Sequence, residues 1–187
     1  MGDDGVETVA VGGGSGGLPA GVRLERLRAD HAPALLAFEV ENREYFAASI
    51  PDRGDAFFTE FAARHDALLA EQVTGTIQFH VLVDDGGQII GRVNLIDLAD
   101  GAANLGYRIA EKAAGRGVAT AAAKELIALA ATEYGLESLR AATTVGNVAS
   151  QTVLARVGFV RTGEVVLSGK PGISYTLRLG DRDGERG

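Results

Sequence analysis

The chain has 187 residues, 46% hydrophobic and 23% charged, enough for one domain with a real core and too few for two ordinary ones. It contains no cysteine, which excludes disulfides, thiolate nucleophiles and Cys-ligated metal; its three histidines, His31, His65 and His80, are far apart in sequence, so no metal is expected. A net charge of −7 argues against a nucleic-acid partner and suits a cationic substrate, though acidity also serves solubility alone. No window approaches the ~20 apolar residues of a membrane span. No basic-then-apolar signal pattern opens the chain, so a cytoplasmic protein with no membrane partner is expected.

Residues 1–21 form a Gly-rich polar lead-in, expected to be flexible. Gly12, Gly14 and Gly17 satisfy G-x-G-x-x-G, and Val9 to Val11 could pass for the preceding strand. A dinucleotide site needs a helix directly after the glycines. Leu18-Pro19-Ala20-Gly21 and a strand-like Val22 to Leu27 follow instead, so that reading lacks its context.

Asp30 can cap a helix from His31 to Asn42, and Asp55 a second helix through Glu71, with Pro51 and Gly54 breaking the chain between them. The period then changes to two. Ile77, Phe79, Val81 and Val83 alternate with Gln78, His80 and Leu82 as in a half-buried strand. The turn 84–87 leads into a return strand over 88–98, and Asp100-Gly101 into a third over 104–109. A long Ala-rich helix begins near Arg116 and ends before Gly135. A strand over 139–145, a helix over 147–157, and strands over 160–167 and 173–179 around the turn 169–172 complete the chain. Residues 181–187 are expected to fray.

The stretch between the third strand and the Ala-rich helix, "AEKAAGRGVATAAAKEL", carries Gly115 and Gly117 where a helix must nucleate. A first helical turn leaves backbone N–H groups unpaired, and the helix dipole adds positive charge there. Together they make an anion site, usually for phosphate. Glycines let a diphosphate lie on the backbone, the small Ala119 does the same, Thr120 adds a hydroxyl, and Lys112 and Arg116 add charge. A plain strand-to-helix loop is the alternative, since a glycine pair is a weak signal. Downstream, "N-x-x-S-x-x-V-L-x-x-x-G-F" sets Asn147 at a helix start and Ser150 three residues on.

The run "NLGYRIAEKAAGRGVATAAAKEL" followed by that second motif resembles the GNAT family of N-acetyltransferases, in particular the branch of ribosomal-protein alanine N-acetyltransferases. The family signature is Q/R-x-x-G-x-G/A; here Lys112 stands in its first position and both glycines remain. The similarity covers roughly Val22 to Leu179. It implies one domain over 22–180, a three-layer α/β/α fold with a mixed, mostly antiparallel, centrally splayed sheet. It implies acetyl-CoA as acyl donor, its pantetheine arm between the strands 104–109 and 139–145. Backbone around Tyr107 and Ile109 would pair with the arm, and the diphosphate would rest on Gly115, Arg116, Gly117, Val118, Ala119 and Thr120, near Lys112. The acceptor would be a small-molecule amine or a protein N-terminus, attacking directly.

The resemblance supplies Ser150 for the leaving thiolate and Asn147 for contact with the cofactor. By pattern alone Asn147 is a good N-cap and Ser150 an ordinary helical residue. Many relatives use a tyrosine acid, and the helix 147–157 has none. For the base, Asn94, Asp97, Asn104 and His80 lie on the central strands, and a water chain could serve instead. Glu41, Arg43, Glu44 and Tyr45 sit where the family admits its acceptor, with Asn94 a further candidate for substrate contact, or form a solvated face. An acyl-CoA-binding module without turnover, and a dinucleotide enzyme using Gly12, Gly14 and Gly17, remain the alternative functions. Oligomeric state leaves no signal in the sequence.

Overall fold

The computed structural model describes residues 17–180. Gly12, Gly14, most of the Gly-rich lead-in and the tail 181–187 lie outside the described residues. Gly17 leads into a turn at Ala20 and Gly21 and then into strand β1 (Arg23–Arg26), with no helix between. Leu18 packs against the core, and Pro19 O accepts a hydrogen bond from Val22 N at 3.0 Å.

Helices α1 (Ala32–Glu41), α2 (Arg43–Ala47), α3 (Asp55–Thr59) and α4 (Phe61–Thr74) follow β1. The meander β2 (Gln78–Val83), β3 (Ile89–Ala99) and β4 (Ala102–Ile109) comes next, and then the long helix α5 (Val118–Thr132). Strand β5 (Ser138–Thr144), helix α6 (Val148–Arg156), and strands β6 (Val160–Leu167) and β7 (Lys170–Arg178) complete the domain. The seven strands lie in the order β1-β2-β3-β4-β5-β7-β6. All neighbours are antiparallel except β4 and β5. This is the mixed, mostly antiparallel sheet that the resemblance implies.

Each face of the sheet has its own core. Phe38 and Leu35 of α1 and Phe61 of α4 bury against Phe79, Val81, Val83 and Ile89. On the other face Leu126, Ala122 and Ala130 of α5 and Leu154 of α6 cover Val93, Leu95, Leu105 and Leu139. Alanine at 121, 122, 123 and 130 favours the helix and leaves little side chain between it and the sheet. A fully buried leucine such as Leu126 stabilises by roughly 2 kcal/mol.

Five local expectations need correction. Strand β2 is not half-buried: Gln78, His80 and Leu82 are buried along with Phe79, Val81 and Val83. Residues Arg43–Ala47 form a short helix of their own. Asp30 does not cap α1: it lies in a 3₁₀ turn and pairs with Arg28 at 3.1 Å, while His31 Nδ1 accepts from Arg28 N at 3.0 Å. The second helix breaks at Glu60, and Gly54, at φ 79°, precedes its first residue, Asp55. The last hairpin turns at Ser168 and Gly169, with φ 49° and 78°, so Lys170, Pro171 and Gly172 already belong to β7. Two successive positive φ values match the tight hairpin turn whose twist suits the flanking strands.

Candidate active site

The parallel pair β4 and β5 is joined only at its start. Ala102, Ala103 and Asn104 pair with Ser138, Leu139 and Arg140, and the register ends there. From Leu105 and Ala141 onward the strands diverge, each still held on its outer side by β3 or β7. A cleft of about 730 Å³ opens in the gap, lined by Gly106, Tyr107, Arg108 and Ile109 on one side and Ala141 to Thr144 on the other. Backbone groups facing such a gap have no strand partner, so an extended chain with its own amides can take the place of the missing strand.

One end of the cleft is the start of α5. Gly117 is its N-cap at φ 75°, and Gly115 has φ 74°. L side chains rarely adopt these values, so the loop needs glycine at both positions. A Cβ at either would meet nothing within 4 Å, so the space beside the backbone is open. Gly115, Gly117, Val118, Ala119 and Thr120 line the cleft, with the unpaired amides of the first turn beside them. An elongated anion fits this cradle. Lys112 and Arg116 are exposed and do not line the cleft; Lys112 Nζ donates to Gln88 Oε1 at 2.8 Å and lies 4.0 Å from Glu41.

In the middle of the cleft Tyr107 reaches across from β4 to α6. Its hydroxyl donates to Ser150 Oγ at 3.3 Å. Ser150 N in turn donates to Asn147 Oδ1 at 3.1 Å, the capping bond that starts α6. Burial pushes the Tyr107 phenol above its ordinary value, and the bond to Ser150 offsets part of that. The phenol is therefore protonated at neutral pH and available as a donor.

The other end is walled by α2 and the loop after it: Tyr45, Phe46, Ser49, Ile50 and Pro51. Leu167, Ser168 and Lys170 of the last hairpin also line the cleft. Asn42 ties this wall to the glycine loop, accepting from Glu111 N at 3.0 Å and donating to Phe38 O at 2.8 Å. Beneath the wall is a buried ion cluster. Glu39, 2% exposed, has Arg92 at 3.1 Å, Arg108 at 3.6 Å and Arg53 at 3.8 Å. Burial lowers the Arg92 guanidinium to about 9 and that of Arg108 to about 10, against the pull of Glu39.

A family model described as an acetyltransferase (GNAT) domain matches residues 22–160. The chain belongs to the GNAT acetyltransferase family. YdaF of Bacillus subtilis (strain 168), a proposed ribosomal N-acetyltransferase, is 35% identical over 80 residues. That match spans 42% of this chain and 44% of YdaF, less than half of either. Among solved structures, the ribosomal-protein-S5-alanine acetyltransferase of Vibrio fischeri superposes with a TM-score of 0.81 at 23% identity, over 88% of this chain and 96% of that one. Mycobacterium smegmatis RimJ in complex with CoA-disulfide gives 0.79 at 23%, over 90% and 87%. These likenesses establish the fold. The splayed gap and the glycine cradle fit acetyl-CoA, the acyl donor of the GNAT family.

Within the GNAT cleft the sequence-derived residues divide. Tyr107, Ile109, Gly115, Gly117, Val118, Ala119, Thr120, Asn147, Ser150 and Tyr45 line it together. Arg43 instead grips Asp52 at 2.7 Å and Asp55 at 2.9 Å, and Glu41 is exposed. Asn94 is buried on β3 opposite Gly106, its Oδ1 without a hydrogen-bond partner. Asp97 accepts from Asn104 Nδ2 at 3.0 Å beside a bulge, at the joined end of the sheet. His80 is buried on β2, 2.8 Å from the Tyr134 hydroxyl, and depressed by burial to about 4. Arg108 and the Tyr107 side chain were not singled out from sequence. Among the described residues lining the cleft there is no Asp, Glu or His; its charged groups are Arg108, Arg156 and Lys170.

Proposed function

We propose that this chain transfers the acetyl group of acetyl-CoA to the α-amine of a polypeptide N-terminus, by direct attack in a ternary complex. The observation that carries the choice of acceptor is the lining of the cleft, which among the described residues offers no carboxylate or imidazole base. Without such a base, the acceptor must enter the reaction as free amine. An α-amine, with pKa near 7.7–8.0, is about one-third neutral at pH 7.5, whereas a lysine amine near 10.4 is neutral in roughly one molecule per thousand. The difference favours the α-amine by ~10²-fold before any contact is counted.

The residues divide the work along the cleft. Gly115 to Thr120 hold the donor's diphosphate on the amides that open α5. The divergent edges of β4 and β5 hold its arm, and a backbone N–H between Tyr107 and Ile109 polarises the thioester carbonyl. The amine nitrogen bonds to the carbonyl carbon, the C–S bond breaks, and the amine's proton leaves to water. Tyr107 protonates the departing thiolate, directly or through the Ser150 hydroxyl. With no cysteine in the chain, no thioester acyl-enzyme forms. Among the described residues no helix is long and apolar enough to cross a membrane.

The test is acetyl-CoA-dependent release of free thiol with three acceptors: a peptide with a free N-terminus, the same peptide N-terminally blocked with an internal lysine, and spermidine. The first should exceed the others in kcat/KM by ~10²-fold at pH 7.5. Equal rates, or spermidine ahead, would reject the α-amine. Thermal stabilisation by acetyl-CoA with no thiol release from any amine would mark a binding module instead.

A further inference from the structure

The ion cluster under the acceptor wall is unbalanced. Three guanidiniums, Arg53, Arg92 and Arg108, surround Glu39 at 3.1 to 3.8 Å. Asp52 borders the same small cavity as Glu39, Arg53 and Arg108 but is held by Arg43 at 2.7 Å, so the cluster keeps an excess of positive charge. The pairing is also poor: Glu39 Oε1 and Arg92 Nε are buried without a hydrogen-bond partner. Buried charge of one sign is costly unless a counter-charge arrives. No acidic residue lines the cleft among the described residues to supply it.

Of the three, Arg108 is the one that also lines the cleft. Its guanidinium lies 5.1 Å from the Phe46 ring centroid, on the α2 wall. Side chains alternate along a strand, so Arg108 points away from the face that Tyr107 occupies. The glycine cradle belongs to α5 on that Tyr107 face, so Arg108 is set apart from the diphosphate. Arg108 stands on the stretch Tyr107 to Ile109 that faces the reacting carbonyl, and it carries its guanidinium a full arginine side chain from that backbone, on the face opposite Tyr107. A peptide whose N-terminal nitrogen lies in the gap has its second or third side chain within this reach, since an extended chain advances ~3.4 Å per residue.

We propose that Arg108, backed by the excess charge of Arg53 and Arg92, binds a carboxylate carried by the acceptor close to its amine, so that the preferred substrate is an N-terminus with Asp or Glu at its second or third residue. The inference rests on the α-amine reading above. It runs against the whole-chain charge of −7, which by itself would suggest a cationic substrate.

The experiment compares peptides identical except for Glu, Gln or Lys at the second and third positions. Wild type should rank them Glu, Gln, Lys, with about tenfold in kcat/KM between Glu and Gln, the scale of a charge-assisted hydrogen bond. Arg108→Gln should bring the Glu:Gln ratio below about two, and Arg108→Lys should restore part of it, since the charge returns without the two-pronged geometry. Glu39 keeps Arg92 and Arg53 in these variants, and the acetyl-CoA-induced thermal shift reports that the fold and the donor site are intact. Should Arg108→Gln fail to fold, Arg53→Gln must narrow the same ratio. Glutamic acid α-amide against glutaminamide repeats the comparison without a peptide. If peptides fail and the acid-bearing amide outpaces the other, the polypeptide reading falls and the Arg108 assignment stands. A wild-type Glu:Gln ratio of one in both acceptor sets, or a ratio that neither variant narrows, overturns the assignment.

Discussion

At the scale of single residues, the proposed acid is the Tyr107 hydroxyl, 3.3 Å from Ser150 Oγ. If the phenol supplies the proton, Tyr107→Phe should lower kcat by tenfold or more, at the modest end of general-acid contributions, and leave the KM for acetyl-CoA nearly unchanged. Ser150→Ala should keep its melting temperature, because alanine is the better helix former, and should also lose kcat. Since the two hydroxyls act as one unit, the double variant should be no slower than the worse single one. Full activity in Tyr107→Phe would move the acid role elsewhere. Asn147→Ala should cost about 1 kcal/mol in denaturant melts through the lost cap. The Asn147 cap was legible in the sequence, because N-x-x-S at a helix start is a local pattern. The Tyr107–Ser150 bond was not: its partners are 43 residues apart and meet only because β4 and β5 are neighbours with a gap between them.

At the scale of elements, the site depends on where helix α5 begins and where strand pairing stops. Thr120 lies in the first turn of α5 and lines the cleft. Thr120→Glu puts a negative charge where the helix dipole favours it and a diphosphate does not tolerate it. The variant should melt at or slightly above the wild-type temperature, while the KM for acetyl-CoA rises tenfold or more; an unchanged KM would mean that the cradle lies elsewhere. Gly117 is a poorer probe, because at φ 75° any β-branched replacement strains the cap itself. The glycine pair, the succession of strands and the long α5 could be read from period and turn chemistry; the short α2, whose charged residues look like a solvated face, could not. The break at Glu60 and the tight Ser168-Gly169 turn could not, since apolar spacing runs on through Glu60 and Gly169-Lys170-Pro171-Gly172 mimics a longer turn.

At the scale of the whole molecule, charge and titration are unevenly placed. The chain carries a net charge of −7, yet among the described residues the charged residues lining the cleft are Arg108, Arg156 and Lys170, so whole-chain charge does not describe the site. Fold stability also has a pH limit. His80 binds its proton at about 4 in the fold, against 6.5 when unfolded, so the unfolded chain takes up more protons between those values. Its contribution is fully present above pH 6.5, declines as pH falls, and levels off below pH 4. From pH 7.5 to pH 5.0 the wild type should lose about 2 kcal/mol through this group, a loss that urea melts of His80→Gln should not show.

The central claim, that a cleft with no base among its described lining residues acetylates an amine arriving neutral, is tested most directly by the pH profile of kcat/KM for two peptides whose α-amine pKa values differ. The profile should rise about tenfold per pH unit and level off at the pKa of the acceptor, so that the inflection moves with the peptide. An inflection that stays at one pH for both peptides would reveal a titrating base on the enzyme and contradict the account.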